Sequence, residues 1–369
     1  MKPRTEGGRE PLLFLCLAAS LFGLALIFSA TRYDEALHNL PAKQGAALLA
    51  GLLLCILLSR LDVREIAERF WWGLAAGNVG LLLLLLPFGN DDGTGNKSWL
   101  SLPGGLFNLQ PAEIGKLIFI LLLALQLTHE KERGRLNRPR SVFLLGAHAL
   151  GLCALLYAVS GDIGMVAVYL AVYAVMVWSA GLSSLWLLGE GLAGAGGVVL
   201  LWPRLPEYVR LRFQVVLDHS LDPLGKGFQQ ERSLLALGSG QVTGQGYLHG
   251  TQTQSLSPSA LPARHTDFLF SVAGEELGLV GCLLILLLLG AIVLRCVFLA
   301  RQSEDRLFSL VCMGFGGMLA AQTILNVGMC LYAAPVVGVT LPFFSYGGSS
   351  LLAGFGGVGM LLSLHRKRA

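Results

Sequence analysis

The feature that most constrains this chain is a series of apolar runs, each long enough to cross a lipid bilayer. A spanning helix needs about 20 mostly apolar residues, because the hydrocarbon core is about 30 Å thick and a helix rises about 1.5 Å per residue. Such runs occur near 11–30, 42–59, 70–88, 113–128, 141–158, 163–181, 184–202, 267–294, 307–331 and 347–364. In lipid the backbone must satisfy its own hydrogen bonds, so the runs are read as helices. The expected fold is an all-α polytopic membrane protein with about ten transmembrane helices. Composition agrees, since only 14% of the residues are charged, against roughly a quarter in soluble domains. The two runs that meet at Gly181–Ser184 can alternatively form a re-entrant hairpin. The first run follows a basic lead, but it is long enough to span and has no clear small-residue cleavage site, so it reads as a retained helix.

The distribution of Lys and Arg sets the expected orientation. Of the 27 such residues, 17 fall in the segments on the side of the two termini, nine fall on the opposite side, and Lys116 lies within a run. The positive-inside rule then places both termini in the cytoplasm and the segment 203–265, between the seventh and eighth helices, outside. The net charge of +4 reflects this topology and gives no reason to invoke nucleic acid. The seven cysteines all lie in or beside apolar runs without a CxxC pair or a nearby His at ligand spacing, so they read as small buried apolar side chains.

The outer segments carry the polar sequence. Residues 203–265 form a long loop rich in Gly, Gln, Ser and Pro, and a shorter polar insert, "GNDDGTGNKSWLSLPGGLFNLQ", lies on the same face. Long ordered loops tend to carry function. No repeat of fixed period and no separate soluble domain is visible, so residues 1–369 are read as a single integral membrane unit.

Ionisable residues in spanning helices are costly and mark candidate sites. In "NLQPAEIGK", Glu113 and Lys116 stand three apart on one helical face, which fits either a structural ion pair or a pair lining a polar cavity. Pro111 suits the first turn of that helix. In "LPARHTDFLFSVAGEELGLVG", Thr266 or Asp267 can serve as a helix N-cap. Yet Asp267, Glu275 and Glu276 together exceed what capping requires, and a partly desolvated Asp can accept a proton from a sugar hydroxyl. In "PVVGVTLPFFSYGGSS", Pro335, Pro342, Gly347 and Gly348 interrupt the helix, as occurs where backbone lines a cavity. Ser345, Tyr346, Ser349 and Ser350 there offer hydroxyls, either to a polar head group or to neighbouring helices. Asp162 is equally a cap or a site residue. His265 reads as an orienting or packing residue, since no second ligand stands at metal spacing.

At these residues the chain resembles the SEDS family of RodA, FtsW and SpoVE proteins. The likeness runs nearly end to end: Lys43–Gln44, "LQPAEIGK" at 109–116, "LDPLGKGFQQ" at 221–230, "GSGQVTGQG" at 238–246, "HTDFLF" at 265–270, "EELG" at 275–278 and "PVVGVTLPFFSYGGSS" at 335–350. The short tails look more like RodA or SpoVE than an FtsW with long extensions. The resemblance implies ten transmembrane helices and polymerisation of lipid II outside the cytoplasmic membrane, together with a class B penicillin-binding protein. It makes Asp267 the catalytic carboxylate and Glu113 and Lys116 the required pair in a cavity. Gln110, His265, Thr266, Glu275, Glu276, Ser345, Tyr346 and Ser349 are the further cavity candidates.

Two positions depart from the family pattern. Gly161 precedes Asp162 where the family usually has Pro, and Ser98 precedes Trp99 where it commonly has Arg, with Lys97 one residue earlier as a substitute. In the implied inverting transfer, Asp267 deprotonates an acceptor hydroxyl. Lys116, Arg210, Arg212, Arg264 or a divalent cation (Mg or Mn) offsets charge on the departing pyrophosphate. The competing classes are a lipid II flippase, an ion-coupled transporter, which should show two related halves that are not evident here, and a membrane scaffold for the penicillin-binding protein.

Overall fold

The computed structural model describes residues 10–90, 97–101, 108–219, 221–222, 225–257 and 259–366. The basic lead 1–9, the middle of the polar insert, Pro223–Leu224 of the "LDPLGKGFQQ" motif and residues 367–369 lie outside the described residues. Among those described, ten helices are long and apolar enough to cross a membrane. The first five spans are α1 (Glu10–Thr31), α2 (Leu40–Arg60), α4 with α5 (Trp71–Leu83 and Leu85–Phe88), α6 (Pro111–Glu132) and α7 (Pro139–Ser160). The others are α8 (Ile163–Ala180), α9 (Ser184–Leu201, extended by a turn of 3₁₀ helix to Arg204), α12 (Leu269–Gln302), α13 (Arg306–Cys330) and α14 (Gly348–Arg366). A short helix α3 (Val63–Arg69) lies between α2 and α4.

Local chemistry sets the helix ends. Pro111 and Pro139 occupy the first turns of α6 and α7, where the missing N–H would have had no partner anyway. Helix α7 stops at Gly161 in the left-handed region, and Asp162 at once caps α8, its carboxylate accepting from the Met165 N–H at 2.9 Å. Asp305 caps α13 in the same manner and also forms an ion pair with Arg64 of α3, tying that helix to the start of α13.

The core lies between α14, α2, α6, α8, α12 and α13. Helix α14 fits closely along α2: a Cβ at Gly359 would stand 2.7 Å from the Cys55 carbonyl oxygen, so only glycine allows this approach. All seven cysteines are free and buried. Helices α8 and α9 are separate elements of 18 residues each. None of the residues of α9 is buried. Its polar ties are a hydrogen bond from the Tyr173 hydroxyl to Glu190, at 2.9 Å, and contacts of Ser183 and Trp186 with Asn137.

The segment 203–265 is more ordered than its composition suggested. It contains α10 (Glu207–Leu217) and α11 (Lys226–Gly240), and α11 packs along the first part of α12. The polar insert also has structure: β1 (Gly89–Asn90), β2 (Trp99–Ser101) and β3 (Asn108–Leu109) form a small antiparallel sheet in that order, with Asn90 opposite Trp99 and Ser101 opposite Asn108.

Helix α12 has 34 residues, about 51 Å at 1.5 Å each, well beyond the bilayer core. It is broken at Gly278, whose φ of 66° and ψ of −161° are open to glycine alone. Residues 241–246 fill the break. Gln245 and Gly246 donate to the Glu275 and Glu276 carbonyls, and Leu279 and Val280 donate to the Gln241 and Val242 carbonyls, at 2.9–3.2 Å. Two carbonyls before the break and two N–H groups after it are thus paired with the preceding loop.

Candidate active site

A cavity of about 470 Å³ opens at the end of the bundle that carries α10 and α11. Its base comes from the start of α6, where Gln110 precedes the helix and Glu113 stands in the first turn. Asp162, the cap of α8, lies beside them and accepts from Gln110 Nε2 at 3.2 Å through its second oxygen. One carboxylate thus caps a helix and also lines the cavity. Burial pushes its pKa up to about 6, with the nearby Glu113 adding to the rise and Met165 N–H, Lys116 and Arg212 opposing it.

Glu113 and Lys116 form an ion pair of 2.9 Å, with side chains 4% and 1% exposed. Glu113 lines the cavity, whereas Lys116 lies behind it and reaches the site only through its partner. A buried pair of this kind is neutral as a unit, and removing either member strands a charge.

His265, Thr266 and Asp267 line another wall. Helix α12 begins only at Leu269, its N-cap is Phe268, and no side-chain capping bond is made there. Neither Thr266 nor Asp267 is therefore the cap, and the half-buried Asp267 side chain is directed instead to the cavity. Burial first, and then the neighbouring Arg264, lowers the His265 pKa to about 4, so the imidazole is neutral near pH 7.

The facing wall is the unwound stretch after α13. Residues 336–340 line the cavity together with Tyr346, Gly347 and Gly348. Gln44 of α2 grips this stretch from behind, donating to the Ser345 carbonyl at 3.2 Å and accepting from the Gly347 N–H at 3.1 Å. Ser345 and Ser349 face the protein rather than the cavity. Ser345 Oγ donates to the Thr266 carbonyl at 2.6 Å, and Ser349 Oγ accepts from the Gln110 N–H at 2.9 Å while donating to Asn108. Ser350 accepts from Thr340 Oγ1 at 3.2 Å. Their role is to hold the walls.

Arg212 of α10 is buried and lines the cavity, bringing a guanidinium into the space that holds the three carboxylates. The other basic candidates stand elsewhere. Arg264 donates to the carbonyls of Ala30 and Ser255, fastening the loop to α1. Arg210 is outside the lining, and Lys97 is exposed while its neighbours Ser98 and Trp99 line the cavity.

Glu275 and Glu276 are corrected by the structure. Neither lines the cavity, and both are 0% exposed. Glu275 accepts from the N–H groups of Gln252 and Thr253 and from the hydroxyls of Thr251 and Thr253, at 2.6–3.1 Å. Glu276 accepts from Ser29 and from Gln254 Nε2, at 2.6–2.7 Å. The sequence shows acids in a helix but not the loop that folds back to meet them. It also gave no reason to single out Gln229 and Thr340, which line the cavity, because uncharged polar residues at a rim carry no spacing signal.

Residues 10–369 match the family described as "Cell cycle protein", FtsW/RodA/SpoVE. The chain belongs to this family. FtsW/RodA/SpoVE relatives include "Probable peptidoglycan glycosyltransferase FtsW" of Haemophilus influenzae, 34% identical over 97% of this chain and 90% of the relative. "Peptidoglycan glycosyltransferase MrdB" of Escherichia coli K12 is 31% identical over 97% and 93%. Solved structures of the family agree in fold. A chain from "Structural coordination of polymerization and crosslinking by a peptidoglycan synthase complex" superposes with a TM-score of 0.81 at 34% identity, covering 97% of this chain and 98% of that one. The crystal structure of Thermus thermophilus "Rod shape determining protein RodA" gives 0.69 at 30% identity, covering 97% and 96%.

Proposed function

We propose that this FtsW/RodA/SpoVE protein is a peptidoglycan glycosyltransferase that polymerises lipid II, with Asp267 as its catalytic base. The observation that carries the reading is the placement of the half-buried Asp267 carboxylate in one cavity with the buried guanidinium of Arg212, at the polar end of a membrane bundle. The names of the relatives support the reaction class. The Lys and Arg distribution supports cytoplasmic termini, with the cavity at the outer leaflet.

In the proposed step Asp267 takes the proton of the acceptor 4-hydroxyl. The oxygen forms a bond to the anomeric carbon of the donor with inversion, and the bond from that carbon to the undecaprenyl pyrophosphate breaks. Pyrophosphate is a good leaving group, so one carboxylate suffices, unlike the pair that a glycosidase needs. Arg212 offsets charge on the departing phosphates. Glu113, neutralised by Lys116, together with Asp162 and Gln110, offers hydrogen-bond partners for a sugar, and Tyr346 a flanking ring.

Among the described residues no three His, Cys, Asp or Glu side chains come together as a metal site. The donor set nonetheless fits Mg²⁺ or Mn²⁺ of the kind held by one or two carboxylates plus substrate phosphates, with Asp267 as the protein ligand. Such an ion would supply charge neutralisation at the pyrophosphate. The natural partner would be a class B penicillin-binding protein that crosslinks the product, in line with the synthase complex that contains a relative.

Purified protein with its cognate penicillin-binding protein, lipid II and a divalent cation tests the reading. Wild type is expected to make polymer that moenomycin does not block, and Asp267→Ala none at equal folding. Equal activity of the two would remove Asp267 from the chemistry. An intact but inactive wild-type complex would turn the reading toward a flippase or scaffold.

A further inference from the structure

Asp267 gains no order from a helix cap, so its position must be set by other contacts. Three consecutive carbonyls of its loop are held by groups from α13 and from the unwound stretch that follows it. The His265 carbonyl accepts from the Tyr346 N–H at 2.9 Å, that of Thr266 from Ser345 Oγ at 2.6 Å, and that of Asp267 from Asn326 Nδ2 at 2.8 Å. The first two donors belong to the unwound stretch, which is itself non-helical. Asn326 alone of the three stands on a regular helix, α13.

The second hydrogen of the same amide goes to the Val339 carbonyl, also at 2.8 Å. Asn326 is 0% exposed and does not line the cavity. An amide carries two N–H donors, and both are spent here, one on each wall. Two carbonyl acceptors on the same side fix which way the amide points, because the flipped form would set oxygen against oxygen. Burying an amide within a spanning helix is costly unless its hydrogen bonds are made, and these are the bonds that offset the cost.

We infer that Asn326 is a positioning residue for Asp267, its amide fixing the distance between the backbone that bears the carboxylate and the facing wall at Val339. The inference rests on the reading of Asp267 as the base. Displacement of a reacting group by about 1 Å can cost on the order of 100-fold in rate.

The test measures kcat and KM for lipid II in the purified complex for Asn326→Leu, Asn326→Gln and Gln322→Leu, each checked by thermal unfolding. Gln322, one turn earlier on α13, is equally buried and sits outside the cavity lining, so it controls for loss of polarity in the helix. Asn326→Leu is expected to lower kcat ~10- to 100-fold with KM unchanged. Asn326→Gln should give a smaller loss of the same kind, and Gln322→Leu should retain kcat within about twofold on the same reasoning. Should Asn326→Leu fail to fold, the glutamine variant carries the comparison, since it keeps a donor. Wild-type kcat in the folded Asn326 variants, an equal loss in Gln322→Leu, or a change confined to KM overturns the inference. If Asp267→Asn is itself fully active, the Asp267 reading falls and takes this inference with it. If that variant is dead while Asn326→Leu matches wild type, only the inference falls.

Discussion

Asp267, just before α12, and the Glu275–Glu276 pair, near that helix's start, lie close together in the chain, yet the fold treats them in opposite ways. Around the two glutamates it supplies hydroxyls, amides and backbone N–H groups until the carboxylate oxygens are occupied, and it excludes solvent altogether. At Asp267 it binds the backbone firmly and leaves the carboxylate directed to a cavity. A carboxylate whose lone pairs are filled by neutral donors has none left to offer a substrate. The contrast separates acids that hold the loop from one that lines the cavity, although all three look alike as charges near the mouth of a spanning helix.

The largest effect that can break this comparison is loss of turnover. Asp267→Asn should reduce polymerisation at least ~100-fold, the usual lower bound for a general base, while leaving the unfolding temperature unchanged. A second effect concerns the buried pair behind the cavity. Lys116→Met leaves the Glu113 charge without its partner and should cost about 3–5 kcal/mol of stability, read by thermal unfolding in detergent. Glu113→Gln combined with Lys116→Met should recover much of that loss, and no recovery would mean that the pair is not the source of the cost.

Next comes the clasp. Glu275→Gln keeps the shape but weakens charge-assisted bonds, with an expected loss of about 1.5–3 kcal/mol. Limited proteolysis should then cut the 251–255 loop sooner, while the folded fraction keeps its turnover. Loss of turnover without loss of stability would erase the distinction between the two groups.

The last effect, read as a slope and not as a loss at one pH, is a pH dependence at Asp162. Its folded pKa of about 6 lies above the ordinary value of 3.8, so between these values the folded state holds more protons than the unfolded one. The stability contributed by the protonated form is present below pH 4 and declines as pH rises to about 6. Asp162→Asn should flatten that part of an unfolding-temperature profile taken from pH 4 to 7, and an unchanged slope would assign it to another group.

The sequence made the helices legible because an apolar run of spanning length has few alternatives in lipid. Glu113 with Lys116 was also readable, since spacing on one helix fixes a shared face, and Asp162 was recognisable as a cap from the Gly161–Asp162 junction. Helices α10 and α11 were not, because both are too short and too polar to read as spans, and α11 gains order from packing on α12. The clasp on Glu275 and Glu276 joins residues from 22 to 247 positions apart, and the bonds between 265–267 and 326–346 span 59 to 81. Such contacts are properties of the folded chain, so Asn326 passed as an ordinary member of an apolar helix.

The seam at Gly278 has a consequence for the order in which the protein is built. Residues 241–246 leave the ribosome before 275–280, so one half of this backbone exchange must wait, with its N–H and C=O groups hydrated, until α12 arrives. Helix α12 cannot complete its own ladder alone. The loop therefore closes only once α12 is made, and the cavity, where Asp267 stands just before this seam, is completed later still, when residues 336–348 add their wall.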